Sequence, residues 1–138
     1  MLEVVTPERE VVRESVAEVQ LPAFSGYLGI LPGHTPLLTE LGIGLLSYKK
    51  ASETGYIAVI GGFAEVLPGR VTVLAEAAER SEEIDASRAR ADLAEAEKKL
   101  SSSGADPNTD WDAVLKAVAS ARARLEAAAH GVGASSET

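Results

Sequence analysis

The sequence predicts a β + α protein: an N-terminal antiparallel β-sandwich or barrel over residues 1–83, a two-helix antiparallel hairpin over 84–130, and a flexible tail over 131–138. Three observations predict it. Apolar residues recur with a period of two up to about residue 75, as in strands with one buried face. Turn residues punctuate that region at intervals suited to a small sandwich or barrel. From residue 84 onward the apolar spacing changes to three and four, the period of an amphipathic helix.

Val19 and Leu21 alternate with Glu18 and Gln20, and Val71 and Val73 with Thr72 and Leu74, so each set marks one buried strand face. Thr6-Pro7-Glu8, Pro32-Gly33, Ala51 to Gly55 and Pro68-Gly69 separate the strands. Leu31-Pro32-Gly33-His34 reads as a tight corner, because proline fixes φ at its second position and glycine permits positive φ at its third. Gly61-Gly62 inside the run Tyr56 to Val66 marks a bulge, or a place where backbones crowd, and the bulge is favoured.

Ala86, Ala89, Leu93, Ala96 and Leu100 form one stripe of a helix over about 86–100, with Asp85 as its N-cap. Residues 101–108 are a polar linker. Trp111 or Val114, then Val118, Ala121, Leu125 and Ala128 form the stripe of a second helix, capped by Thr109 or Asp110 and stopped by Gly131. Both stripes rely on alanine, which buries far less area than leucine, so the hairpin is expected to be weakly held and separable.

Composition excludes several classes. The 138 residues carry a formal net charge of −8, and the acidic excess is shared: residues 1–80 hold 6 basic and 10 acidic side chains, residues 81–138 hold 7 and 11. Nucleic acid is therefore not an expected partner. There is no cysteine, and two histidines, His34 and His130, are too few for a histidine zinc cluster, so no metal is expected. His34 lacks an accompanying nucleophile and orienting group, so it reads as a brace for its corner and no catalytic residue is assigned. No apolar run approaches membrane-spanning length, and no direct membrane insertion is expected.

Gly29 to Leu38, Gly61-Gly62-Phe63 with Glu65-Val66, and Val71 to Ala75 followed by Ala77-Ala78-Glu79-Arg80 resemble the epsilon subunit of bacterial rotary F-type ATP synthases. The resemblance covers roughly residues 1–128. It implies a non-catalytic rotor subunit of a proton-translocating synthase, peripheral on the cytoplasmic face of the bacterial membrane. The sandwich would couple the gamma subunit to the membrane rotor ring, with the gamma contact around Tyr56 to Val66 and the ring contact around Ser25 to Gly29. Tyr27 stands there where relatives often carry an acidic residue. The helices would meet the alpha/beta catalytic head through Lys116, Arg122 and Arg124 and regulate ATP hydrolysis.

The segment Ile84-Asp85-Ala86-Ser87-Arg88-Ala89, with Glu79 upstream, resembles the ATP-binding motif of certain bacterial epsilon subunits. The resemblance implies a weak regulatory ATP site. Asp85 and Arg88 would be required in it, Ile84 and Ala89 would be apolar walls, and Arg124 would be the one phosphate-directed arginine of the second helix. The same Asp85 and Arg88 also make an ordinary N-cap with a surface ion pair. Two other classes stand against the rotor reading, a stand-alone module sensing a small nucleotide and, more remotely, a hydrolase built on His34.

Overall fold

The computed structural model describes residues 1–24, 26–102 and 107–136, and of 131–136 only the backbone. Seven strands, β1 (Leu2–Val5), β2 (Glu10–Glu14), β3 (Glu18–Ala23), β4 (Gly26–Ile30), β5 (Leu37–Lys50), β6 (Glu53–Leu67) and β7 (Arg70–Arg80), form one sheet in the order β2-β1-β7-β6-β5-β3-β4. Neighbours are antiparallel except β1 and β7, which run parallel. Val11 and Val12 from one edge strand share a single core with Val19, Leu21 and Ile30 from the opposite end. The sheet therefore curls over itself into a sandwich.

The curl is set at Gly61 and Gly62, whose φ values are +64° and +113°. Along an ordinary strand, inward positions step by two. Here they step from Val59 to Ala64 on β6, from Leu46 to Leu41 on β5 and from Ala78 to Ala75 on β7, so the inward face changes parity on all three strands together. The pairs that would join Gly61 to Gly42 and to Glu76 are absent from the two ladders, yet both registers keep step on either side. The expected bulge is thus replaced by a crease crossing three strands, with no extra residue in any of them. A Cβ on Gly62 would lie 2.1 Å from the carbonyl oxygen of Leu74, so backbone crowding is what requires glycine there.

Other turns follow their residues. His34 N donates to Leu31 O at 3.1 Å and Gly33 has φ +81°, which closes the corner at Pro32. The β5–β6 connection is only Ala51-Ser52, shorter than the expected 51–55, and Gly55 lies within β6 opposite Tyr48. The Tyr48 ring covers the space where a Cβ on Gly55 would sit.

A 3-10 turn at Ser81–Glu83 leads into α1 (Ala86–Ser102), and α2 spans Trp111–Ser136. Asp85 Oδ1 accepts from Arg88 N and Asp110 Oδ1 from Ala113 N, both at 3.1 Å, so Asp85 and Asp110 are the N-caps. Helix α1 runs two residues past Leu100, and residues 103–106 of the linker lie outside the described residues. Helix α2 does not stop at Gly131. Glycine in a helix costs only about 1 kcal/mol relative to alanine, and five alanines or leucines in the preceding eight residues favour continuation. The expected tail over 131–138 is accordingly helical to Ser136, while Glu137 and Thr138 lie outside the described residues.

Val118 and Ala121 are buried as the sequence predicted, but α2 has a second buried edge. Ala123 and Ala127 pack on Leu45 and Ala58 of the sheet, with Ile43, Tyr56 and Ile84 around them. The joint is also tied by charge: Glu83 receives Arg80 Nε at 2.7 Å and Arg9 Nη2 at 2.8 Å, pinning the 3-10 turn to β7 and to the β1–β2 connection.

Two outcomes are expected. Gly62→Ala should destabilise the fold by about 2–3 kcal/mol in urea unfolding, because side chains strain at this φ and the backbone has no room. Gly29→Ala, with nothing within 4 Å of its added Cβ, should stay within about 0.5 kcal/mol of the parent. Hydrogen bonding to Arg80, joined by Arg9, outweighs desolvation and holds the Glu83 carboxyl below its ordinary value of 4.5. A depressed folded value means the stabilisation is present above that ordinary value and is lost as pH falls through the folded one. Glu83→Gln should therefore cost roughly 0.5–1 kcal/mol near neutral pH and nothing at pH 2–3, measured by thermal unfolding across the acid range.

Candidate functional site

The residues singled out by the sequence meet at the seam of β7, α1 and α2. Glu79 is the next-to-last residue of β7, and its side chain turns toward α2. Arg124 Nε donates to Glu79 Oε1 at 2.8 Å and Arg124 Nη1 to Asp92 Oδ2 at 3.2 Å. One guanidinium thus joins all three elements, and it is 22% exposed. Asp92 follows Arg88 by one helical turn, which places Arg88 on the same side of α1. Arg88 itself is exposed and makes no ion pair among the described residues.

The other four positions are already occupied by structural work. Asp85 caps α1. Ala89 is fully buried, and Ile84 packs against the Leu45, Ala58, Ala123 and Ala127 cluster. Glu79 faces Arg124. Asp92, Ala96, Ser120, Ala121 and Arg124 line an open groove between the two helices, and Glu95 and Lys99 stand at its rim. The sequence did not single out Asp92; its position four residues after Arg88 was the available signal.

Arg122 and Arg124 point apart, as their two-residue spacing predicts. Arg122 reaches Glu97 on α1 at 3.6 Å, and Lys116 reaches Glu76 on β7 at 3.1 Å. All three basic side chains of α2 are thus paired with acids of the same chain. Near its C-terminal end, His130 stacks on Tyr56 with ring centroids 4.5 Å apart, a contact with no sequence signature.

A second surface lies on the other side of the crease. Glu40, Phe63 and Leu74 are aligned neighbours across β5, β6 and β7. Phe63 and Leu74 are each more than half exposed, and Leu38 is 71% exposed. With Val5, Pro7, Gly62 and Ala75, Phe63 and Leu74 line an apolar depression. Exposed aromatic and leucine side chains grouped in this way mark an interaction surface.

Tyr27 is exposed within β4, but its hydroxyl accepts from Leu45 N at 3.3 Å, so the ring lies back along the sheet. Ser25 lies outside the described residues. His34 Nδ1–H donates to the carbonyl of Thr35 at 2.6 Å, the brace expected of it. Among the described residues no group of three metal-ligating side chains is found, and no helix is long and apolar enough to cross a membrane.

Residues 1–81 match the family described as ATP synthase, Delta/Epsilon chain, beta-sandwich domain. The ATP synthase epsilon chain of Solibacter usitatus is 52% identical over 120 residues, covering 86% of this chain and 90% of the relative. That of Koribacter versatilis is 56% identical over 102 residues, covering 74% and 72%. A chain in the cryo-EM structure of Euglena gracilis mitochondrial ATP synthase, OSCP/F1/c-ring, superposes with a TM-score of 0.77 at 26% identity over 92% of this chain and 79% of that one. A chain of the Tetrahymena thermophila mitochondrial ATP synthase central stalk and c-ring shares the fold, with a TM-score of 0.55 at 16% identity. Curled sandwich, appended hairpin and sequence agree, and the chain belongs to the epsilon-chain family of F-type ATP synthases, non-catalytic subunits of the central stalk.

Proposed function

We propose that this chain grips the gamma subunit through the Leu38, Phe63 and Leu74 surface, couples it to the membrane rotor ring, and restrains ATP hydrolysis with its helical hairpin. The observation that carries the reading is the apolar patch: on a body with a net charge of −8, it is a grouped set of exposed apolar side chains on stiff, central strands. Ring contact falls to the β3–β4 turn, where Phe24 is 78% exposed beside Tyr27. In this reading the chain works on the cytoplasmic face of the bacterial membrane, held there peripherally by its partners.

Regulation follows from how the hairpin is held. The α2 side of its seam with the sheet is alanine methyls, each worth roughly 0.8 kcal/mol, packed on Leu45 and Ala58 with Ile43 and Tyr56 beside them. Detachment is cheap compared with unfolding the sandwich. It frees Lys116 from Glu76 and Arg124 from Glu79 on β7, while Arg122–Glu97 and Arg124–Asp92 stay paired within the hairpin, so Lys116 and Arg124 become the cations that face acidic surfaces of the alpha/beta head. ATP binds weakly at the docked hairpin, near Arg88 and Arg124.

Replacing both Phe63 and Leu74 with Glu should lower co-purification with gamma at least tenfold while leaving thermal unfolding nearly unchanged, since both side chains project outward. Undiminished co-purification would move the interface elsewhere. A chain ending at Glu83 keeps the Arg9, Arg80 and Glu83 ties and should still bind gamma, and ATP hydrolysis by the assembled head should rise. Equal hydrolysis with the full and shortened chains, over a range of salt, would remove the regulatory role.

A further inference from the structure

We propose that Glu79 and Asp92 hold Arg124 in place of a nucleotide phosphate, so that the hairpin of this chain docks on its sandwich with no nucleotide bound. Three observations carry this. The Arg124 side chain is more than three-quarters buried, and its guanidinium already holds two carboxylates, at 2.8 and 3.2 Å, one from the sheet and one from α1. Charge-assisted bonds of this kind are the strong ones, and both lie in a seam partly shielded from solvent. The rest of the α2–sheet contact is the packing of Ala123 and Ala127 among Leu45, Ala58, Ile43 and Tyr56, the His130 stack on Tyr56 and the exposed Lys116–Glu76 pair. Arg124–Glu79 is therefore the better shielded of the two ionic ties from α2 to the sheet, and Asp92 fixes the same guanidinium from α1.

The same geometry turns ATP into a competitor. One cation between two anions leaves the triad at −1, and a triphosphate drawn to the exposed Arg88 finds Arg124 already held by Glu79 and Asp92. It must displace at least one of them. No second arginine of α2 offsets this, since Arg122 is turned to Glu97. Asp92 is thus a specificity-determining residue: its carboxylate sets whether Arg124 answers to the protein itself or to a phosphate. The nucleotide half of the inference rests on the ATP reading above, and the clamp does not.

Hydrogen exchange of the α2 amides around 118–128, followed in the full chain without nucleotide, tests the clamp. Arg124→Gln and Asp92→Asn should each raise exchange about five- to tenfold, and the double variant should exceed Arg124→Gln only slightly, because both changes break one contact. Effects that multiply in the double variant, or a parent chain whose α2 becomes protected only on adding ATP, would overturn the clamp. Titration with millimolar Mg-ATP tests the second half. ATP should restore the lost protection in Asp92→Asn and bind it several-fold tighter than it binds the parent, with no rescue of Arg124→Gln. If exchange shows the coupling but neither protein binds ATP, the nucleotide site is wrong and the clamp stands.

Discussion

The close approach of the Gly62 backbone to the Leu74 carbonyl, with positive φ at both Gly61 and Gly62, fixes where the sheet folds. A seven-stranded sheet with one buried face needs something to cover that face, and this chain covers it with the sheet's own far end. The fold-over works only if inward positions change parity on β5, β6 and β7 along one line. Gly42, Gly61 and Glu76 form that line. Were a side chain to push β6 away from β7 there, Val59 and Ala64 could not face the same core. The apolar surface at Phe63 and the floor under α2 at Ala58 would both lose their placement.

What sits on the sandwich is held by different means. The core joins valines, leucines and isoleucines from all seven strands and has no buried polar side chain among the described residues. The hairpin touches that body through alanines, one stacked histidine and a set of ion pairs. Apolar burial is insensitive to salt, whereas exposed ion pairs are screened within a Debye length of about 8 Å at physiological ionic strength. The two parts therefore answer to different conditions, and conditions that loosen the hairpin leave the sandwich intact.

Much of this was legible in the sequence. Period-two alternation marked β3 and β7, the Pro-Gly corner formed as its residues require, and Asp85 capped α1. Legibility ended where a property belonged to more than one strand. A double glycine signals an irregular strand, but whether it adds a residue or creases a sheet depends on the partners Gly42 and Glu76, which no local pattern identifies. Ala123 and Ala127 were missed for a related reason: alanine is a good helix former on any face, so its burial leaves little periodic signal. For the candidate site, the meeting of Glu79 with Arg124 was legible only through family resemblance. Asp92, which completes that contact, was not, because an acidic residue on an exposed helix usually faces water.

Thirteen residue pairs join β5 to β6, the longest ladder in the molecule, and it runs from the Leu38 end to the turn at Ala51. Antiparallel hydrogen bonds lie perpendicular to the strands. A load applied along β6 near Phe63 and resisted at the far end of the hairpin therefore strains all of these bonds at once, in shear. The same load applied across the strands at one end would open them singly, like a zipper. A body built this way is stiff along one axis and weaker across it, and that anisotropy suits a part whose duty is to turn with a shaft without stretching.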